Sequence, residues 1–157
     1  VFKVKGDAGN LAAFEVKFIE NGDTGQVYNL GTYSGVTDLG NGWLQVSIPM
    51  SDFAATIAGN SGFLLGPLGG QAAPFTLLLT DIGFTTADGG IIPDNVVYAT
   101  DPGVTEDLAP AGVNNFGSGA VFDFDFAGDA DFNPAIQVTS GEGYGAGVHV
   151  GFVAFTG

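Results

Sequence analysis

Glycine constrains the fold of this chain more than any other residue type. The sequence of 157 residues contains 27 glycines and 7 prolines, which are spread along its whole length. Because glycine weakens helices and proline breaks them, no long stretch reads as a clean amphipathic helix. Short apolar runs bounded by Gly, Asn, Asp and Pro recur instead, and this pattern is typical of an all-β protein.

Nine of these runs are predicted to be strands, and several alternate between apolar and polar residues with the period of a half-buried strand. The predicted strands are 1–5, 14–19, 26–30, 43–48, 75–84, 96–99, 120–126, 136–139 and 148–155. The only helical candidate is 51–58, where Ser51 can cap a single turn. The number and spacing of the strands predict a two-sheet antiparallel β-sandwich.

The chain reads as a single β-sandwich module over residues 1–157. Segment 85–93 (TTADGGIIP) is rich in glycine, ends in proline and has the composition of a linker between two halves. The first half is richer in leucine, valine and lysine, whereas the second alternates Phe with Asp. Neither half looks sufficient for a two-sheet sandwich, so we expect the halves to share one core.

The charge balance restricts the partners of the protein. The sequence has seventeen acidic residues, three lysines and no arginine, which gives a net charge of −14. Nucleic acids and anionic membranes are therefore excluded as partners, because both need basic contacts. No apolar run is long enough for a transmembrane helix, and without cysteine there are no disulfides. The acidic, lysine-poor composition favours a secreted protein, and the start at Val1 without a signal peptide suggests a processed piece of a longer one.

Several motifs carry a resemblance to a known family. FKVKG (Phe2–Gly6), FEVKF (14–18) and GWLQVSIPMSDF (42–53), followed by LLTDIGF (78–84), resemble the closing strands of jelly-roll carbohydrate-binding modules of secreted polysaccharide-degrading enzymes.

The second half of the chain resembles the opening strands of such a module. The motifs there are VVYATDP (96–102) and VTSGEGYGAGVHVGF (138–152), so the two halves stand in reversed order. The resemblance implies either a circularly permuted jelly roll or a chain that straddles two modules of a tandem array.

Candidate ligand-binding residues are aromatic or hydrogen-bonding side chains, because pyranose C–H faces stack on exposed aromatic rings. Glycines in GEGYGAGVH would also let the backbone approach a ligand closely. Each candidate has a structural alternative: a packed core tryptophan, a half-buried strand tyrosine, an ordinary surface glutamine, or a polar turn with a structural histidine. The expected contact residues are Tyr28, Tyr33, Trp43, Gln137, Glu142, Tyr144 and His149.

Aspartates predict a calcium site, since carboxylates are the hard oxygen ligands that Ca²⁺ prefers. DFDFAGDADF (123–132) gathers four of them and makes Asp123 and Asp125 candidates. The resemblance implies a structural calcium held by Asp81 in LLTDIGF and by Asp94 or Asp101 around VVYATDP. The alternative is a solvated acidic edge that keeps the protein soluble.

The sequence favours a non-enzyme. It carries no G-x-S-x-G, H-E-x-x-H or phosphate-loop motif. The acids that a small glycosidase or lyase would use are Glu15, Glu20, Glu106 and Glu142, but Glu15 reads as a surface partner of Lys17, Glu20 as a turn residue and Glu106 as a loop residue. The resemblance implies a module that binds a neutral polysaccharide, a β-glucan or a marine galactan, on a concave sheet face. Its partners would be a parent glycoside hydrolase or tandem modules in the same chain. The alternative is a structural repeat of an extracellular fibre or adhesin without a sugar site.

Overall fold

A computed structural model describes residues 1–6, 11–20, 23–53, 60–68, 74–85, 91–98, 113–116, 120–140 and 147–151. These residues form thirteen strands and two 3-10 helices, Leu11–Ala13 and Met50–Phe53. The predicted all-β class is therefore confirmed. Among the described residues, no helix has the length and apolar character needed to cross a membrane.

The strands are numbered in chain order. They are β1 Phe2–Gly6, β2 Phe14–Glu20, β3 Asp23–Asn29, β4 Val36–Gly40, β5 Trp43–Val46, β6 Asn60–Pro67, β7 Phe75–Thr80, β8 Ile82–Thr85, β9 Ile91–Tyr98, β10 Val113–Phe116, β11 Ala120–Phe126, β12 Ala135–Ser140 and β13 Gly147–Gly151. A six-stranded sheet has the order β11-β12-β7-β1-β5-β4, and a five-stranded sheet has the order β10-β13-β6-β2-β3. Strands β8 and β9 form a separate pair, and every pairing is antiparallel.

A shared apolar layer joins the two large sheets. Phe2 of the six-stranded sheet stacks on Phe63 of the five-stranded sheet with ring centroids 5.2 Å apart. Phe14 and Phe75 make an edge contact at 5.1 Å between the same two sheets. Because all four rings are buried in one cluster, the fold is a two-sheet β-sandwich. Its jelly-roll connectivity and circular permutation stay predictions.

Three strands have no counterpart in the sequence prediction. These are β4, β6 and β10, whose segments VTDLG, NSGFLLGP and VNNF are rich in Gly, Asn or Asp. Such residues are depleted in strands, so their pairing is decided by neighbouring strands rather than by propensity. The helical candidate 51–58 begins in a short 3-10 helix, and residues 54–59 lie outside the described ranges.

The predicted strand 75–84 is divided at one residue. Asp81 has a positive φ of 47°, and the chain turns there between β7 and β8. The ends of the linker-like segment 85–93 lie in strands, because Thr85 of β8 pairs with Ile91 of β9. Residues 86–90 are not among those described.

Each of the three lysines forms an ion pair. Nζ of Lys3 lies 2.5 Å from Asp81, Nζ of Lys5 lies 2.7 Å from Asp129, and Nζ of Lys17 lies 2.5 Å from Glu15. The three lysines therefore offset three carboxylates, and the other fourteen acidic residues carry the net charge of −14. Mutual repulsion of the excess carboxylates opposes the compact state.

We expect salt to stabilise the fold. Raising sodium chloride from about 0.01 M to 0.5 M shortens the screening length from about 30 Å to less than 10 Å and weakens the repulsion between exposed carboxylates. The urea midpoint should therefore increase with salt, and the increase should be smaller in the Asp123→Asn/Asp125→Asn double variant. A midpoint that falls with salt would show instead that the lysine ion pairs dominate the electrostatic free energy.

Candidate functional site

Two of the predicted contact residues, Tyr28 and Tyr33, lie together at one edge of the sandwich. Their ring centroids are 4.7 Å apart and the rings are tilted by 59°. Tyr28 belongs to β3, the edge strand of the five-stranded sheet, and Tyr33 lies in the turn that leads to β4. Both side chains are half-buried, and Tyr28 also packs against the core. The tyrosine pair is therefore held by the core through Tyr28 and remains partly accessible to solvent.

Backbone hydrogen bonds fix the turn that carries Tyr33. The Asn29 side chain accepts the N–H of Gly31 at 2.7 Å, and the Asn29 carbonyl accepts the N–H of Tyr33 at 2.9 Å. Between them, the N–H of Leu30 donates to the Phe14 carbonyl at 2.9 Å, and the Leu30 side chain is buried. The ring of Tyr33 is thus held in position by the fold itself.

Gly35 lets the Tyr33 ring lie close to the backbone. A Cβ at this position would overlap both the Ser47 carbonyl oxygen and the Tyr33 ring. The Ser47 N–H donates to the Gly35 carbonyl at 2.9 Å, which brings the two chain segments together. Only glycine permits this approach without movement of the backbone.

Asp52 joins the two tyrosines. It lies in the 3-10 helix Met50–Phe53 and is exposed. The Tyr28 hydroxyl donates to the Asp52 carbonyl oxygen at 2.8 Å, and the Tyr33 hydroxyl donates to Asp52 Oδ2 at 3.1 Å. Because a carboxylate can accept several hydrogen bonds, Asp52 retains capacity for a ligand hydroxyl.

The surroundings keep both tyrosine hydroxyls protonated. Burial raises the pKa of Tyr33 to about 12, together with its hydrogen bond to Asp52 and the negative charges of Asp52 and of an ionised Tyr28. Burial and the Asp52 charge also raise the pKa of Tyr28. At neutral pH the site therefore presents two neutral phenols beside the Asp52 carboxyl group.

Gln137 and His149 lie on other surfaces. Gln137 stands in β12 between two core residues, so its side chain is on the outer face of the six-stranded sheet. His149 stands in β13 between two core valines, on the outer face of the five-stranded sheet, and burial lowers the pKa of its imidazole. The predicted set is thus divided over three surfaces. Glu142 and Tyr144 lie outside the described residues.

Trp43 belongs to the interior. Its side chain is 1% exposed, and its ring makes an edge contact with Phe132 at 4.8 Å. The indole N–H donates to Asp129 Oδ1 at 3.1 Å. A sugar has no access to a ring buried in this way, so the packed-core alternative describes Trp43.

Asp129 organises the segment next to Trp43, although the sequence alone marked it only as one member of an aspartate-rich run. It accepts hydrogen bonds from Lys5 Nζ at 2.7 Å and from the N–H groups of Asp131 and Phe132 at 2.9 and 3.1 Å. Burial by itself raises the pKa of this carboxyl, but these hydrogen bonds and that of Trp43 hold it at about 2. Asp129 therefore stays ionised although its side chain is buried.

The calcium candidates whose side chains the structure describes, Asp81, Asp123 and Asp125, belong to no common metal-binding group. Asp81 is ion-paired with Lys3, whose ammonium already supplies a positive charge there. Asp123 and Asp125 are exposed on β11, and the N–H of Asp125 donates to Asp123 Oδ1 at 3.1 Å. Within the described ranges, no three acidic or histidine side chains form a group that could hold a metal. The side chain of Asp94 and the whole of Asp101 lie outside them, so the calcium site stays a prediction.

The sequence was also compared with known proteins. No protein-family model matches it, and searches of curated proteins and of solved structures return no match. The fold class consequently rests on the strand pairing described above. The function is inferred from the geometry of the tyrosine edge, defined as Tyr28, Tyr33 and Asp52.

Replacing Asp129 with Asn should destabilise the fold. The substitution removes the charged acceptor of Lys5, whose side chain is partly exposed, and should lower the free energy of unfolding by about 1.5 kcal/mol in urea at pH 7. The exposed Asp125→Asn variant is the matched control and should change it by less than about 0.5 kcal/mol.

The pH dependence of stability should differ between the Asp129→Asn variant and the wild type. Because the folded-state pKa of Asp129 is about 2 against an ordinary 3.8, its contribution is present above pH 3.8 and is lost as the pH falls through 2. The Asp129→Asn variant should therefore lose less stability over that interval than the wild type. Equal losses in both proteins would contradict the assigned role of Asp129.

The Asp52 charge should be detectable in the titration of Tyr33. Asp52→Asn removes that charge, so the pKa of Tyr33 should fall from about 12 and stay above 10 because burial remains. The measurement is the absorbance change at tyrosinate wavelengths, taken as the difference between each protein and its Tyr33→Phe counterpart. An unchanged pKa would mean that Asp52 does not act on this hydroxyl.

Proposed function

We propose that this protein is a non-catalytic module that binds a neutral polysaccharide at the tyrosine edge. The observation that carries the proposal is the pair of half-buried rings, Tyr28 and Tyr33, held 4.7 Å apart beside the exposed Asp52. Tyrosine combines an apolar face with a polar tip, which suits the C–H face and the hydroxyls of a sugar ring. The carboxylate adds an acceptor for a sugar hydroxyl.

The electrostatics support an uncharged ligand. The net charge is −14, and the three lysines are already paired with carboxylates. An anionic polysaccharide would be repelled by this surface and would find no unengaged lysine. A neutral β-glucan or galactan meets neither obstacle.

The fixed turn at Tyr33 supports binding without rearrangement. Hydrogen bonds from Gly31, Leu30 and Tyr33 order the turn, and the missing side chain of Gly35 leaves room for the ring. A site that is ordered before the ligand arrives loses less conformational entropy on binding. This proposal places binding at an edge of the sandwich, in contrast to the concave sheet face expected from the resemblance.

A binding module has a clear role beside a secreted hydrolase. Attachment to a parent glycoside hydrolase, or repetition in tandem, raises the effective concentration of the catalyst on its substrate. A structural calcium ion would fit this setting and remains part of the proposal. It would act on stability, because the tyrosine edge itself contains a single carboxylate.

The exposed apolar residues give less support to the fibre alternative. Among the described residues, the large exposed hydrophobics are Val27, Leu39 and Val121, at 47%, 43% and 69% exposure. They lie one each on β3, β4 and β11, whereas a fibre subunit would present contiguous apolar ends. Isolated exposed side chains of this kind are ordinary on soluble domains.

The test is retention on a panel of soluble and insoluble polysaccharides, run in calcium and again in chelator. The wild type should bind a neutral glycan, and Tyr33→Ala should weaken the Kd about tenfold through loss of about 1.4 kcal/mol of stacking. Tyr33→Phe should keep most of the affinity. Val121→Ala on the opposite edge strand is the matched control and should bind as the wild type does.

Two results would contradict the proposal. One is a folded wild type that binds no glycan in either buffer, which would favour the structural repeat. The other is a Tyr33→Ala protein that is folded and binds a glycan with unchanged affinity, which would place the site elsewhere. Loss of binding in chelator with a lowered unfolding temperature would support the calcium part.

A further inference from the structure

The strands fall into two groups that are contiguous in sequence. The first block comprises β1 to β7, and the second block comprises β10 to β13. In the six-stranded sheet the second block supplies β11 and β12 at one edge, and in the five-stranded sheet it supplies β10 and β13 at one edge. A single boundary therefore divides each sheet, between β12 and β7 in one and between β13 and β6 in the other.

In the part of the chain that the structure describes, the chain passes from the first block to the second once. The passage runs through the β8–β9 pair and then through residues 99–112 to β10. Fourteen residues can span at most about 50 Å when fully extended. Exchange of the second block between two copies would therefore change the course of this one connection and keep the described strand pairings.

The boundary in the six-stranded sheet carries strong contacts. Strands β12 and β7 pair from Ile136↔Leu79 to Ser140↔Phe75, and the Phe75 N–H also donates to Ser140 Oγ at 3.2 Å. Ile136 and Leu79 are fully buried. A first block without its second block would expose this apolar surface and a row of unpaired backbone groups.

The boundary in the five-stranded sheet repeats this arrangement. Strands β13 and β6 pair from Val148↔Leu65 to Gly151↔Gly62, and both Val148 and Leu65 are fully buried. Both edges of the first block thus need strands of one particular register and apolar pattern. The second block of another copy of this chain has that register and pattern, because its residues are identical.

We propose that two copies of this chain exchange their second blocks, so that β10–β13 of one copy complete both sheets of the other. The exchanged dimer contains the same strand pairings and the same core as the monomer, which makes such exchange a low-cost route to a dimer. Its population is set by protein concentration and by the connection between the blocks. The inference rests on strand order alone and is independent of polysaccharide binding.

The absence of cysteine allows a direct test with the full chain. Thr76 of β7 and Thr139 of β12 are partners across the boundary. A Thr76→Cys chain and an isotopically labelled Thr139→Cys chain are unfolded together, refolded at high concentration and oxidised. Exchange should yield a disulfide-linked heterodimer with twice the 15.9 kDa mass of one chain.

A second pair serves as the matched control. Thr37 of β4 and Gln45 of β5 are also register partners, but both lie in the first block. A mixture of Thr37→Cys and Gln45→Cys chains should give no heterodimer, because exchange does not place these residues between copies. Equal cross-linking in both mixtures would overturn the proposal.

The remaining outcomes are also decisive. A Thr76→Cys/Thr139→Cys double variant that closes its disulfide within one chain, while the mixed single variants give no heterodimer, would overturn the exchange. Sedimentation of the refolded wild type provides a measurement that needs no cysteine. A dimer fraction that increases with the concentration during refolding supports the proposal, and monomer at every concentration overturns it.

Discussion

The apolar layer between the two sheets is the interaction on which the rest of the molecule depends. Phe2 and Phe75 of one sheet meet Phe63 and Phe14 of the other, and burial of these rings supplies the driving force for stacking the sheets. Alternation along β1 then decides its other face: because Phe2 and Val4 are turned inward, Lys3 and Lys5 must turn outward. The positions of the Lys3 and Lys5 ion pairs therefore follow from the packing of the core.

The outward lysines determine how the outer face of the six-stranded sheet is covered. The Lys5 ammonium binds Asp129, and Asp129 also receives the Trp43 indole and two backbone N–H groups of its own segment. A buried carboxylate is tolerated only when it is paired and hydrogen-bonded in this way. At the tyrosine edge an aspartate also accepts several hydrogen bonds, but Asp52 is exposed and its donors are the neutral phenols of Tyr28 and Tyr33.

Much of the sandwich could be predicted from local pattern. The alternation of Phe with Asp in the second half of the sequence lies in β11, and the predicted strand 1–5 overlaps β1. Strands β6 and β10 could not be found in this way, because partners distant in the sequence pair with them. Strand β4 pairs only with its chain neighbour β5, and its Gly and Asp residues hide it from a propensity pattern. For the site, the sequence named Tyr28 and Tyr33 but missed Asp52 and the role of Asp129. Nothing in the local sequence distinguishes these two aspartates, because their hydrogen-bond donors include residues that only the fold brings close.

The sequence by itself determined the all-β class, the strongly acidic surface and the residue types available to a ligand, because composition and alternation depend only on near neighbours in the chain. Tertiary structure decided which of those residues meet. It buried Trp43 against Asp129, separated Gln137 and His149 onto opposite outer faces, and joined Tyr28 to Tyr33 through Asp52. It also placed β10–β13 together at one side of both sheets. These outcomes depend on contacts between residues far apart in the sequence. The packing of the core determines those contacts, and a local sequence pattern carries no information about them.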